Sequence, residues 1–363
     1  MAYGTHDFQF LDFSEQDLNR IAARQTSAGV SFANILTAAN NAMAATVQNL
    51  DPVVAALTYQ TDQSEAGKDR SARFQVEYGS EYAVARPQRG MSVSHVLPIR
   101  PIDIATQWTE DFIDNASELD IAQELDGLAT GFRGFFNTEP LNALFNPAAI
   151  AVTADSATTS PKLIGYDGAD PAYGKVTLAD GTIVQSPYTH YLNDTPANLL
   201  ASIDAALVKL KARGVTGPFD LAGSPDAITA ISALEEFFPT GDPLIGQALG
   251  EASANLDAGQ FAGALKGRNV RVRVAIDAIQ DGSGSYWFAV FKSYGANAAG
   301  NVVAWRFNGR KGVVPRLRSR ELFPLSYATA IGEAGFGINN RFGAVVVNIE
   351  TTANGYTAPT ISG

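Results

Sequence analysis

From Leu265 onward the chain alternates short apolar runs with tight turns, a pattern that strands satisfy and helices do not. The run LKGRNVRVRVAID leads into the turn Asp281-Gly282-Ser283-Gly284-Ser285, then YWFAVFKS, a second turn and VVAWRFNGR. Arg316, Arg318 and Arg320 then occupy every second position, ahead of ATAIGEAGFGINNRFGAVVV. Runs of this length and period, bounded by Gly, Asn, Asp and Ser, predict strands joined by tight turns. No nucleophile, metal cluster or phosphate cradle stands out along them. A segment of this kind packs and pairs with neighbours, which points to an assembly protein before an enzyme.

The composition agrees. In 363 residues, 46% are hydrophobic and only 17% charged, against roughly a quarter charged in an ordinary soluble domain. The shortfall predicts surface covered by other subunits; a monomer with polar, uncharged loops is the alternative. A single core rarely exceeds about 250–300 residues, so two lobes are expected. The net charge of −11 argues against a broad nucleic-acid grip, which needs a positive face. Eighteen of the basic residues are arginines, which suit specific pairing and are enriched at interfaces where lysine is depleted. Without cysteine, disulfides, thiolate metal sites and cysteine nucleophiles are excluded. The N-terminal MAYGTHDFQFLDFSEQD has no basic and apolar halves of a signal peptide. No run of about 18 apolar residues predicts a membrane span, so a protein made in a cytoplasm is expected.

Along the chain, residues 1–70 read as an arm with helical pieces, Ser14 capping one and Phe32, Ile35, Leu36, Met43 and Val47 spacing another. Residues 61–71 are polar and lack apolar anchors. In 71–100 the period becomes two: Phe74, Val76 and Tyr78, then Met91, Val93, His95 and Leu97, on either side of a polar tip carrying Arg86 and Arg89. This predicts a long β-hairpin, which two strands alone cannot hold in water; it lies on its own domain or on a neighbour. Phe112, Ala116, Leu119, Ala122, Leu125, Ala129 and Phe132 then fall at helical spacing behind Thr109, predicting a helix of about 25 residues, roughly 38 Å long. Five prolines make 137–195 loop-like, with a hairpin around Asp180-Gly181. From Thr195-Pro196 an α/β pattern begins: a helix stopped by Gly214, a strand at Phe219–Ala222, and a helix from Ser224-Pro225 to the residue before Pro239.

Candidate chemistry fails on spacing. Gly332, Gly335 and Gly337 are in the wrong order for a dinucleotide loop and no helix pattern follows them. His6, His95 and His190 are far apart. Asp167, Asp170 and Asp180 are too loosely spaced for a calcium loop. Glu235-Glu236 reads as a solvated helix face. We expect no catalytic residue, metal or cofactor. The arginine comb repels itself unless it meets acids, Glu235 and Glu236 of another chain being candidates; a weak nucleic-acid strip is the other reading.

The order of these parts, with LKGRNVRVRV through AVVV, resembles the major capsid proteins of tailed bacteriophages. Their Hong Kong 97-type fold is shared with encapsulins. The resemblance implies an α+β fold: an N-terminal arm (1–70), an extended β-hairpin loop (71–100), a spine helix and peripheral lobe with a hairpin insertion (101–195), an axial α/β lobe (196–325) and closing strands (326–363). It implies a non-enzymatic virion subunit, assembled in the bacterial cytoplasm into hexamers and pentamers around double-stranded DNA that it does not read. Implied partners are its own copies, a separate scaffold, a portal and decoration proteins, with no membrane. Intersubunit contacts fall to Phe74, Val76, Tyr78, Arg86, Arg89, Arg316, Arg318 and Arg320. Two other readings stay open: an encapsulin-like cargo compartment, and a soluble α/β enzyme using carboxylates. Some members of the family cross-link a hairpin lysine to a neighbour's asparagine, but 71–100 contains no lysine. Assembled particles boiled in detergent are therefore expected to give one band near 38.4 kDa; a ladder of covalent oligomers would contradict this.

Overall fold

Phe219–Gly223 is buried at every position, as a strand flanked on both edges and covered on both faces must be. It is the middle strand of a seven-stranded sheet. The computed structural model describes residues 41, 50–63, 65–70, 92–97, 99–109, 115, 118–148, 163, 176–177, 183–184, 189–249, 256–282, 284–309, 316–322, 325–352 and 355–362. In chain order these hold α1 (Pro52–Leu57), β1 (Thr58–Thr61), β2 (Glu65–Arg70), β3 (Ser92–Val96), β4 (Arg100–Thr109) and α2 (Glu118–Phe145). Next come β5 (Val176–Thr177), β6 (Ile183–Val184), β7 (Tyr191–Asp194), α3 (Leu199–Ala212), β8 (Phe219–Gly223), α4 (Pro225–Ser232), β9 (Phe237–Pro239) and α5 (Ile245–Leu249). The remainder is strand: β10 (Phe261–Leu265), β11 (Val270–Arg273), β12 (Ile279–Gln280), β13 (Tyr286–Phe291), β14 (Val303–Phe307), β15 (Arg316–Leu322), β16 (Leu325–Ile338), β17 (Ala344–Ile349) and β18 (Thr360–Ile361).

The chain divides into two compact units. One draws its described residues from Met1–Asn49, Pro101–Arg133 and Arg310–Glu333, the other from Leu50–Arg100, Gly134–Gly309 and Ala334–Gly363.

The larger unit is built on the seven-stranded sheet, in the order β7-β17-β13-β8-β11-β10-β9. β8 runs parallel to β11 and antiparallel to β13. One face is apolar: Phe219, Leu221, Val270, Val272, Phe288, Val290, Val345 and Val347 meet the stripe Leu199, Ile203, Ala206, Leu207 and Leu210 of α3, and Ala227, Ile228 and Ile231 of α4. The i, i+3, i+4 spacing of that stripe is what makes α3 amphipathic. The helix stops where Gly214 takes φ 77° and Val215 N–H donates back to the Leu210 carbonyl, an end that glycine makes cheap. Ala344–Ile349, read with the closing strands, lies inside this sheet, antiparallel to β13 and parallel to β7.

Three expectations need correction. First, α4 ends at Ser232, short of Pro239. Phe237–Pro239 is extended and pairs with β10 at the sheet edge. Alternation lets Phe237 pack on the main core and Phe238 on Ile245, Leu249 and Ala264, which one helical face could not do. Second, the long helix continues through Pro140 to Phe145, where a loop was expected. An interior proline costs about 3 kcal/mol. Phe136, Leu141, Leu144 and Phe145 are all at most 1% exposed, and each such burial is worth about 1.5–3 kcal/mol, so burial wins. Third, the strand opposite β3 is the polar Glu65–Arg70, with Ala66 across from His95; Lys68 therefore lies on a strand of the hairpin, and the expectation of a hairpin without lysine does not hold. Phe74, Val76 and Tyr78 lie outside the described residues, as do Arg86 and Arg89.

The Tyr191 hydroxyl donates to the Leu144 carbonyl and the Tyr356 hydroxyl to that of Phe145, serving carbonyls that a helix end leaves without partners. Near this end Phe136 stacks on Trp305 at 4.6 Å, with Phe336 5.6 Å from Trp305. Trp305 is on β14, which pairs in parallel with β1 and antiparallel with Ala334–Ile338 of β16. In the smaller unit β15 pairs antiparallel with the Leu325–Ile331 part of β16. Gly332, Gly335 and Gly337 all lie within the single strand β16. Phe136→Ala is expected to lower the unfolding free energy of the dissociated chain by about 3–5 kcal/mol, measured by urea titration. A loss below 1 kcal/mol would mean the aromatic cluster is not structural.

Candidate functional site

The apolar face of the sheet leaves the opposite face to Asp220, Arg271 and Arg273. In a parallel pair with Arg271 across from Asp220, the two-residue period puts Arg273 on the same side. Arg271 Nε donates to Asp220 Oδ1 at 2.7 Å and Arg273 Nε to Oδ2 at 2.8 Å. A second guanidinium nitrogen of each closes at 2.6 and 2.5 Å. Asp220 has no exposed surface and Arg273 only 4%. Arg273 also donates to the Pro52 carbonyl at 3.3 Å, tying α1 to the sheet. Both guanidinium groups lie over the Phe261 ring, at 5.2 and 4.7 Å. Charge this deeply buried is tolerable only when paired and hydrogen-bonded on every side.

Lys292 directly follows Phe291, which stands across from Asp220 on β13. Its ammonium donates to the Pro218 carbonyl at 3.1 Å and sits 5.7 Å from the Tyr294 ring centre. Partial burial, then the nearby Arg271 charge, lowers its pKa. The Tyr294 loop is held by Asn301. That side chain accepts from Tyr294 N–H and donates to the carbonyls of Gly295 and Thr58. Sequence reading missed all of this. The signal was present in VRVR, where two arginines on one face of a buried strand require an acid on the next strand. Asp220 is the acid within FDLAG.

A cleft of about 320 Å³ is lined by Asp51, Asn137, Thr138, Asp277 and Ser362 among others, but Asp51 is occupied as the α1 cap, accepting from Val53 N–H at 2.7 Å. Among the described residues no three His, Asp or Glu side chains gather to hold a metal, and no helix is long and apolar enough to cross a membrane. Asp167, Asp170 and Asp180 lie outside the described residues.

The comb residues are on β15, a strand as expected. They stand across from β16 at Arg316–Ile331, Arg318–Thr329 and Arg320–Tyr327. No acid occupies those three register positions.

No protein-family profile matches the sequence, and no curated protein matches it. Solved structures do. A chain of Mycobacterium phage Patience is 16% identical, with a TM-score of 0.63 over 92% of this chain and 94% of that one. The capsid of Ralstonia phage GP4 is 11% identical, over 82% and 88%, with a TM-score of 0.49. The holo-SrpI encapsulin complex of Synechococcus elongatus PCC 7942 is 12% identical, over 94% and 98%, with a TM-score of 0.43. The chain has an α+β fold that it shares with the Patience chain over nearly the whole length of both, in line with the Hong Kong 97-type fold expected from the sequence.

His190 tests the interior of this fold. It is fully buried, and its Nδ1 lies 2.7 Å from the Ala344 carbonyl. Burial, then the charges of Lys209, Arg213 and Arg341, hold its pKa down at about 3, against 6.5 when free. Between those values the unfolded chain binds the extra proton, so stability is complete above about pH 6.5 and falls as the pH drops towards 3. The slope is at most about 1.4 kcal/mol per pH unit. His190→Gln is expected to flatten this part of the stability–pH curve; an unchanged slope would exclude His190 as its source.

Proposed function

We propose that the chain is a major capsid protein: a non-enzymatic subunit whose copies form the hexamers and pentamers of an icosahedral phage head around double-stranded DNA. The observation that carries the reading is the likeness to the Patience chain, which runs over nearly the whole length of both chains. Other observations support it. The charge fraction is low and the net charge is −11, so packaged DNA slides along the wall instead of adhering to it.

In this reading residues 1–70 are the arm, 71–100 the extended loop, 101–195 the spine and peripheral lobe, 196–325 the axial lobe and 326–363 the closing strands. Phe74, Val76 and Tyr78 bury on a neighbouring copy, Arg86 and Arg89 contact it from the loop tip, and the comb takes its counter-charges there. The protein is assembled in the host cytoplasm with a separate scaffold and a portal, and resides in the virion.

The test is to isolate fast-sedimenting particles from cells that make the chain together with its scaffold, portal and packaging proteins, and to identify their contents. Closed particles that package double-stranded DNA through a portal are expected. A defined enzyme inside would instead make it a cargo compartment, and turnover by the free monomer would make it an enzyme. Arg318→Glu is expected to raise the protein concentration needed for assembly several-fold at about 0.05 M salt and much less at about 0.5 M, where screening already weakens the pairs. An equal effect at both would remove the comb from the contacts.

A further inference from the structure

Around Asp220 the charges do not balance. Arg271 and Arg273 share the Asp220 carboxylate, and Lys292 lies near enough to feel the charges of Arg271 and Asp220, so among the described residues three cations stand around one carboxylate in a chain whose net charge is −11. Arg273 is consumed inside. Arg271 keeps a quarter of its side chain exposed. Its Nε and Nη2 are engaged by Asp220, which leaves Nη1 turned from that pair. The Lys292 ammonium hydrogen-bonds a neutral carbonyl and faces a ring, while Asp220 acts on it only through space.

Beside them stands Tyr294, 52% exposed, one of three exposed large apolar side chains among the described residues, with Val208 and Leu244. Its exposure is not looseness. The ring lies flat on Gly300, where an added Cβ would come within 2.8 Å of it, and Asn301 clamps the loop from both sides. A fixed, exposed aromatic next to under-neutralised cations is the chemistry of interface hot spots, where Tyr and Arg are enriched.

We propose that Lys292, Arg271 and Tyr294 form a contact that receives a carboxylate side chain from a second copy of this chain. This rests on the shell reading above and names one of its contacts. Charge complementarity favours a copy of the chain as occupant: it carries 37 acids against 26 bases. A nucleic acid is disfavoured, since two surplus charges neutralise too few phosphates to hold DNA against a net charge of −11. The incoming carboxylate would be held by the Lys292 ammonium and Arg271 Nη1, with the Tyr294 ring excluding water around it.

The experiment uses particles assembled from equal parts of ¹⁵N-labelled and unlabelled chain, treated with a zero-length carbodiimide and mapped by mass spectrometry. Lys292 is expected to couple to an Asp or Glu in mixed-isotope peptide pairs, which only contacts between copies produce. Lys292→Glu and Tyr294→Ser are each expected to raise the concentration needed for assembly at least tenfold, with the Tm of the dissociated chain unchanged. Lys292→Arg is expected to retain assembly. If the wild type assembles, and both variants assemble at its concentration while Lys292 couples to nothing, the inference fails and the shell reading stands. Variants that assemble normally but no longer retain DNA would assign the patch to phosphate and also overturn it. A wild-type chain that stays monomeric with its scaffold overturns both.

Discussion

Asp220 is a carboxylate with no exposed surface in the middle strand of the largest sheet, and that one buried charge dictates much around it. An unpaired ion there would cost many kcal/mol. Two arginines must therefore reach it from the adjacent strand, and their spacing fixes the register of β8 on β11. A one-residue slip would carry both guanidinium groups to the apolar face and Val270 and Val272 to the polar one. The cluster specifies the sheet more than it stabilises it, because a well-packed apolar replacement is often equally stable. Its reach extends further through the Arg273 bond to Pro52, which fixes where the chain enters α1.

The legible parts of the fold are those where local chemistry and burial agree. The stop of α3 at Gly214 follows from a capping rule that holds without tertiary help; at its start Pro196 opens a 3-10 turn that leads into Leu199, and Thr195 makes no side-chain cap bond. The turn at Asp281–Ser285 and the strand after it were equally plain. The errors share one cause: distant burial overrode a local signal. Pro140 reads as a helix stop until the deeply buried Phe136 before it and Leu141, Leu144 and Phe145 after it are counted. Glu235-Glu236-Phe237-Phe238 reads as helix until two separate cores claim the two phenylalanines. Glu65–Arg70 has no apolar period, so its strand is set by its partner β3 and not by its own sequence.

The surfaces were less legible than the core. Arginines at every second position announce a strand face, and the register of β15 on β16 adds that no acid stands across from them. Lys292 and Tyr294 announce nothing in one dimension. A lysine two residues before a tyrosine in a loop is ordinary, and only the fold shows that Asp220 is already taken by two other cations. Contacts of this kind are individually weak, on the order of 1 kcal/mol for an exposed pair. A closed assembly repeats each contact at every equivalent position, so modest pairs add up.

The central claim is that this fold serves here as a repeating wall. Electron cryo-microscopy of the purified chain assembled with its scaffold tests it most directly. The account predicts closed icosahedral shells of six-fold and five-fold rings, each subunit fitting the seven-stranded sheet with Arg271, Arg273 and Asp220 at its centre. Persistent 38.4 kDa monomers, with no closed shell under any assembly condition, would contradict it.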